Sequence, residues 1–121
     1  MVVHSADGLD ELSIADKTFI AELKGGVVTT YSIHPKELGF SLGNLNDIKA
    51  DDADDSLALI REAFSGQDGT AKDIISLNAG AAIYVSGLTT SLQSGIDRAN
   101  QVLLNGKAHQ KLDDYVKASK I

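Results

Sequence analysis

Three carboxylates, Asp7, Asp10 and Glu11, lie within the stretch HSADGLDEL, residues 4–12. The stretch follows MVV, which is typical of a short β-strand, and precedes an apolar–polar alternation. Adjacent carboxylates in a loop after a strand can bind a hard cation such as Mg²⁺, which takes oxygen ligands and often bridges to phosphates. A solvated loop, or a helix cap formed by Asp10, explains the same residues. Asp10 and Glu11 are therefore a candidate metal site with these alternatives open.

Other catalytic patterns have less support in the sequence. The three histidines are His4, His34 and His109. They are far apart in sequence and lack the spacing of a zinc site. On an extended strand the neighbours His4 and Ser5 point to opposite faces, so we do not expect them to form a Ser-His-Asp site with Asp7.

Acidic and glycine-rich stretches further along the chain indicate local structure. Asp51, Asp52, Asp54 and Asp55 surround the start of a predicted helix, where carboxylates cap the helix and interact favourably with its dipole. The run lacks the glycine and the terminal glutamate of a calcium loop. The glycines of GQDGT, residues 66–70, follow a helix rather than a strand, which disfavours a phosphate-binding role.

Composition limits the class of protein. The chain has 121 residues, of which 43% are hydrophobic, enough for one small domain with a packed core. Eleven Lys and Arg against 17 Asp and Glu give a net charge of −6, which argues against non-specific binding to nucleic acid or to anionic membranes. Cysteine is absent, no signal peptide is visible, and no apolar run approaches the ~20 residues of a membrane span. We therefore expect a cytoplasmic protein with neither nucleic-acid nor membrane partners.

Alternating apolar residues predict a β-hairpin over residues 17–33. Phe19, Ala21 and Leu23 alternate with other side chains, and the alternation continues to Ile33. The pair of glycines at 25–26 supplies the positive φ that a tight turn needs. We favour a three-residue loop over 24–26, which pairs residue 23 with 27 and places the odd-numbered residues on one face.

Four helices are expected after this hairpin. A helical turn at PKEL, residues 35–38, leads into an irregular connection. The periodic segments predict helices over residues 54–65, 71–87, 92–105 and 107–119. Ser91 is placed to cap the third helix. In the second helix, small residues from Ala79 to Ala82 allow another backbone to approach, and Asn78 is expected to be a satisfied amide that ties the helix to a loop.

Several segments together resemble one enzyme family. VVHSADGLDELS, residues 2–13, is similar to the VVHG-x-x-GLDE segment of anthranilate phosphoribosyltransferases. The resemblance extends through PKELGF at 35–40, LNAGAAIYVSG at 77–87 and SLQSGIDRANQVLLNGKAHQKLDDYV at 91–116. It covers essentially the whole chain, and the ordered combination is more specific than GLDE alone.

The resemblance implies a fold and an activity. The fold would be α/β, the C-terminal portion of a nucleoside phosphorylase/phosphoribosyltransferase-type α/β domain, with residues 1–121 forming a single partial domain. The family uses Mg²⁺ and transfers a phosphoribosyl group from phosphoribosyl pyrophosphate to anthranilate in tryptophan biosynthesis. Its metal-binding acidic pair matches Asp10 and Glu11, so the resemblance implies that these carboxylates face a cation carried by a diphosphate.

The chain also departs from the family pattern. Ser5 stands where the family usually has Gly, which adds a side chain near the site. The family's GTGGD and KHGN segments do not occur in this sequence. Because pre-organised phosphate donors supply much of such catalysis, we expect the 121-residue chain to be inactive alone. The alternative is a free-standing, non-catalytic binding module with the same fold.

Self-association is a further expectation. The strand at residues 2–4 would leave an edge that can pair with another chain. Four apolar side chains of the second helix are also expected to be partly exposed: Ile74, Ile75, Ile83 and Val85. Exposed apolar patches of this kind favour pairing of identical chains.

Overall fold

A computed structural model of the protein describes residues 1–120 and places a small β-sheet before a set of helices. The strands are β1 (Val2–Ser5), β2 (Thr18–Lys24) and β3 (Val27–Ile33). Short 3₁₀ turns at Pro35–Leu38 and Leu45–Ile48 follow them. The helices are α1 (Ala53–Phe64), α2 (Thr70–Val85), α3 (Leu92–Leu104) and α4 (Lys107–Ser119). This is the α/β architecture, strand, hairpin and four helices, that the sequence predicts.

The sheet is antiparallel, with β2 between β1 and β3. Its hairpin differs from the predicted one, because Lys24 pairs with Val27 and the turn has two residues rather than three. Gly25 and Gly26 have φ values of 57° and 81°. Positive φ at both central residues suits a two-residue turn whose twist matches that of the flanking strands. The predicted three-residue loop is therefore wrong.

The shorter turn changes which side chains share a face of the sheet. Ile20 pairs with Tyr31 and faces the core, where Ile20 is only 4% exposed. Phe19 and Leu23 lie on the opposite face and are 48% and 64% exposed. The odd-numbered residues are thus divided between two faces, contrary to the prediction.

The hydrophobic core lies between the sheet, the connection that leads from β1 to β2, and the helices α2 and α3. Its buried members are Leu12, Ile14, Ile20, Ile74, Leu77, Ala81 and Ile96. Ile74 is 7% exposed, so the expectation that it would be partly exposed is wrong; in contrast, Val85 is 53% exposed. The core fixes the β1–β2 connection because Leu12 and Ile14 are almost completely buried in it.

Small residues allow α2 and α3 to approach closely, as predicted. A Cβ atom on Gly80 would lie 2.6 Å from both the Cα and the backbone nitrogen of Ile96. A Cβ on Gly95 would overlap the backbone of Gly80 in the same way. This contact fixes the helix that carries Asn78.

Local capping explains where two of the helices begin. The Asp52 side chain accepts hydrogen bonds from the backbone N–H groups of Asp54 and Asp55, each at 2.9 Å. Ser91 caps α3, and its hydroxyl oxygen accepts from the N–H of Ser94 at 3.2 Å. Ser91 is the cap that the sequence predicts, and Asp52 is one of the four carboxylates expected near the start of α1. Within residues 1–120, no helix has the length and apolar character needed to cross a bilayer.

A polar cluster joins the hairpin to the end of α2. Glu22 accepts hydrogen bonds from the hydroxyls of Tyr31 and Tyr84, each at 2.7 Å. The Lys24 ammonium donates to the Tyr84 oxygen at 3.0 Å. The bonds from Tyr84 and Tyr31 hold the pKa of Glu22 below its ordinary value, whereas burial and the Glu22 carboxylate raise the pKa of Tyr31. Hydrogen bonds that the sequence did not predict therefore connect the sheet to α2.

Candidate metal-binding loop and its supports

The acidic loop, defined here as residues 6–13, begins with a tight turn after β1. The backbone N–H of Gly8 donates to the carbonyl of Ser5 at 3.1 Å, and the N–H of Ser5 donates to the carbonyl of Leu9 at 3.0 Å. Gly8 adopts a φ of 94°, which favours glycine. At the base of the connection, the N–H of Ala6 donates to the carbonyl of Lys17 at 2.8 Å. The backbone of this turn is therefore held by several hydrogen bonds.

Asp7 is an internal support of the acidic loop. Its two carboxylate oxygens accept separate hydrogen bonds from the hydroxyls of Ser5 and Ser13, which are 0% and 1% exposed. Burial by itself raises the pKa of Asp7, but the bonds from Ser13, Ser5 and the Leu9 backbone outweigh it and lower the pKa overall. One carboxylate thus connects the two ends of the loop.

Asn78 supports the same loop from α2. Its Oδ1 accepts from the N–H of Leu12 at 2.9 Å, while its Nδ2 donates to the carbonyl of Leu12 at 2.9 Å and to that of Ile74 at 3.0 Å. This confirms the prediction of an amide that ties the helix to a loop. The structure adds that the tie falls on the residue directly after Glu11.

The acidic pair, Asp10 and Glu11, lies between these supports and is exposed to solvent. Partial burial raises the pKa of Glu11, and the neighbouring charge of Asp10 raises it further. A carboxylate such as Glu11, whose ionisation is disfavoured by a neighbouring negative charge, suits a cation placed beside it. Within the part of the chain that the structure describes, no group of three His, Cys, Asp or Glu side chains is placed to hold a metal.

The donor set is compatible with one mode of metal binding. Mg²⁺ is commonly bound by one or two carboxylates together with waters and substrate phosphates, rather than by a cage of protein ligands. Asp10 and Glu11 provide such a pair of oxygen donors. They fit an ion that arrives with a diphosphate.

Histidines and the neighbouring serine take other roles. His4 is exposed, and Ser5 is buried on the other side of β1, as the strand geometry predicts. His34 caps the first 3₁₀ turn, where its Nδ1 accepts from the N–H of Lys36 at 3.4 Å. His109 packs edge-to-face on Phe64 with ring centroids 6.1 Å apart. The structure therefore does not bring these imidazoles together.

Sequence reasoning grouped Asp7 with the other two carboxylates and missed its separate role. The available signal was the presence of serines two residues before it and six residues after it, since short Asp and Ser side chains readily bond within turns. Ser5, which departs from the expected Gly, takes part in this arrangement. Its side chain contributes a hydrogen bond to the loop instead of disturbing it.

Comparisons with known proteins identify the family of the chain. Residues 1–109 match the family described as "Glycosyl transferase family, a/b domain". A curated relative, the anthranilate phosphoribosyltransferase of Ruthia magnifica, is 61% identical over 119 residues, which are 98% of this chain and 35% of that protein. The corresponding protein of Laribacter hongkongensis is 49% identical over 116 residues, 96% of this chain and 34% of that protein. The chain thus spans about a third of the length of the curated relatives it matches.

Solved structures support the fold. The crystal structure of anthranilate phosphoribosyltransferase from Thermus thermophilus superposes with a TM-score of 0.83 at 33% identity, covering 95% of this chain and 34% of that one. The Saccharomyces cerevisiae enzyme, solved in complex with PRPP and Mg, has a TM-score of 0.79 at 22% identity, again over 95% of this chain and 33% of that one. The second similarity is evidence for the fold alone.

Proposed function

We propose that this chain, which belongs to the glycosyl transferase family defined by that a/b domain, is part of an anthranilate phosphoribosyltransferase. The complete enzyme would transfer a phosphoribosyl group from phosphoribosyl pyrophosphate to anthranilate. The observation that carries the proposal is the exposed acidic pair, held in a supported loop directly after β1, within a sequence 61% identical to a protein of that name.

Asp10 and Glu11 are proposed to bind Mg²⁺ together with the diphosphate of the substrate. Bound Mg²⁺ would neutralise negative charge on the diphosphate leaving group. The chain's own contribution is to present two carboxylates at one edge of the fold and to keep them apart from the core. We assign no transfer step to other side chains of this chain.

The role of the acidic pair can be tested in a chimaera. The remaining part of the Ruthia magnifica enzyme is joined to these 121 residues, and formation of phosphoribosyl anthranilate is measured at several Mg²⁺ concentrations. We expect the chimaera to be active. We expect the variants Asp10→Asn and Glu11→Gln to need more Mg²⁺ and to lose at least tenfold in kcat/KM, because each removes a charged oxygen ligand.

A matched control is Asp51→Asn, which removes an exposed carboxylate ahead of α1. Its Mg²⁺ dependence should equal that of the parent chimaera. An active chimaera in which all three substitutions behave alike would contradict the metal role of the pair. An inactive but folded chimaera would contradict the proposed enzyme and favour the non-catalytic binding module.

The biological setting is part of the same proposal. We propose that the complete protein acts in the cytoplasm, in tryptophan biosynthesis.

Self-association of the 121-residue chain is proposed from its exposed apolar side chains. Val2, Phe19, Leu23 and Val28 share the outer face of the sheet and are 48–73% exposed. A second copy of the chain would bury this face.

A further inference from the structure

The acidic pair is flanked on each side by a backbone group that a side chain holds in place. Before the pair, the N–H of Leu9 donates to the hydroxyl oxygen of Ser5 at 3.1 Å. After the pair, the N–H and the carbonyl of Leu12 are both bonded to the amide of Asn78, each at 2.9 Å. The exposed residues Asp10 and Glu11 are therefore the free middle of a segment that is fixed at both ends.

The Asn78 contact is specific in its geometry. An amide that bonds both N–H and C=O of one residue acts as a strand partner would, and it fixes the peptide plane that joins Glu11 to Leu12. A further bond from Nδ2 to the Ile74 carbonyl, at 3.0 Å, fixes the amide on its own helix. The orientation of Glu11 is thus connected to α2 through Asn78, which lies 66 residues after Leu12.

We propose that Asn78 is a positioning residue for the acidic pair, and this inference rests on the proposed function. By fixing the Leu12 backbone, Asn78 keeps the carboxylates of Asp10 and Glu11 in the arrangement that binds a divalent cation. Outer contacts of this kind determine how well a site is pre-organised, because ordering the ligands during binding lowers affinity. Asn78 itself does not touch the cation in this assignment.

The test compares two asparagines in the 121-residue chain. Asn78→Ala removes the support, and Asn100→Ala is the matched control. Asn100 is also a half-buried helical amide, but its Oδ1 accepts from the Ser76 hydroxyl, at 2.7 Å, rather than from the acidic loop. Mn²⁺ serves as the probe, and its binding is followed by paramagnetic broadening of the amide NMR signals of Asp10 and Glu11. A second readout, without metal, is hydrogen exchange at the Leu12 amide.

We expect Asn78→Ala to weaken Mn²⁺ binding at Asp10 and Glu11 at least fivefold and to accelerate Leu12 amide exchange at least tenfold. Asn100→Ala should change each value less than twofold at temperatures where all chains are folded. If Asn78→Ala does not fold by circular dichroism, Asn78→Asp takes its place. Asn78→Asp loses the two hydrogen bonds that Nδ2 donates and adds a negative charge. A positioning role for Asn78 therefore predicts weaker Mn²⁺ binding, whereas the added charge by itself would make Mn²⁺ binding tighter.

The outcomes separate this inference from the proposed function. Mn²⁺ binding that Asp10→Asn abolishes but Asn78→Ala leaves unchanged would overturn the positioning role and leave the proposed metal site intact. Tighter Mn²⁺ binding by Asn78→Asp would also overturn the positioning role. Absence of broadening at Asp10 and Glu11 in the parent chain, with millimolar Mn²⁺ and inorganic pyrophosphate both present, would overturn the metal site itself, and the positioning role with it.

Discussion

Gly80 of α2 and Gly95 of α3 face each other where the two helices come closest, and a Cβ on either residue would overlap the backbone of the opposite helix. Atoms of the main chain cannot move aside as the end of a flexible side chain can. The two helices therefore depend on the absence of side chains at this contact. Because α2 carries both Asn78 and the buried residues Ile74 and Leu77, its position also determines how the acidic loop is supported.

Gly80→Ala should destabilise the fold. In a solvent-exposed helix the same change stabilises by about 1 kcal/mol through helix propensity. Here the added Cβ would lie 2.6 Å from backbone atoms of Ile96, and overpacking of this kind costs typically about 1–3 kcal/mol. After the propensity gain is subtracted, we expect the free energy of unfolding in urea to fall by up to about 2 kcal/mol. Ala82→Gly, at an exposed position of α2, is the control and should cost about 1 kcal/mol from propensity alone. A rise in stability for Gly80→Ala would contradict the close contact.

Asp7→Ala should destabilise the fold at neutral pH. The substitution removes the acceptor for the buried hydroxyls of Ser5 and Ser13, and a buried polar group without a partner costs about 1–3 kcal/mol. Urea denaturation at pH 7 measures the loss. Asp16→Ala is a suitable comparison, since this carboxylate accepts from the backbone N–H of Lys17 at 2.6 Å and has no part in the Ser5–Ser13 bridge.

The effect of Asp7 should depend on pH in one direction. Its pKa is lowered from the ordinary value of 3.8 by folding, so the stabilisation is fully present above that value and is lost as the pH falls through the lower, folded pKa. The difference between parent and Asp7→Ala should therefore shrink below about pH 4. Because Asp7 is exposed to solvent, we expect this pH-dependent part to be small. A difference that grows on acidification would contradict the assigned hydrogen bonds.

Divalent cations should bind the isolated chain weakly. Asp10 and Glu11 would supply only two ligands, and Mg²⁺ gives up its waters reluctantly, so we expect a Kd in the millimolar range or weaker. Titration of Mg²⁺ followed by NMR shifts of Asp10 and Glu11 measures it, and Asp10→Asn should abolish the shifts. Submicromolar binding by calorimetry, lost in Asp10→Asn, would instead reveal a pre-formed site with further ligands.

The 121-residue chain should not form phosphoribosyl anthranilate by itself. Its sequence has no GTGGD segment to hold a diphosphate, and donors aimed at phosphate charge are usually a large part of phosphoryl and glycosyl transfer catalysis. The measurement is product formation from phosphoribosyl pyrophosphate and anthranilate with Mg²⁺. Turnover by the pure chain above the level of the Asp10→Asn variant would contradict the prediction.

Association of the isolated chain should depend on its apolar sheet face. Phe19 and Leu23 are 48% and 64% exposed on this face, and burying a large apolar side chain contributes roughly 1.5–3 kcal/mol. Sedimentation of the parent should show dimers or larger species at high micromolar concentration, whereas Phe19→Ser should be monomeric. The control is Tyr115→Ser, which removes a 70% exposed aromatic side chain from α4. A compact parent monomer with slow amide exchange at Val3 would contradict self-association.

The sequence by itself determined the features that depend on near neighbours. The order of strands and helices, the caps at Asp52 and Ser91, and the small residues around Gly80 follow from periodicity, turn chemistry and side-chain size. These are properties of a few adjacent residues, so they can be derived before any contact is known. The acidic pair was likewise identified from its motif, although its metal role stays a prediction.

Only the tertiary structure decided the hairpin turn, the partner of Asn78 and the role of Asp7, because each depends on contacts or burial that the local sequence does not specify. Both hairpin turns were compatible with Gly25 and Gly26, and burial of Ile20 with Tyr31 on one face accompanies the two-residue form. The sequence indicated that Asn78 would bond to a loop, but only the fold brought it to Leu12, 66 residues away. Asp7 bonds to Ser5 and Ser13 because their buried hydroxyls need an acceptor, and that need arises only once both serines are removed from water.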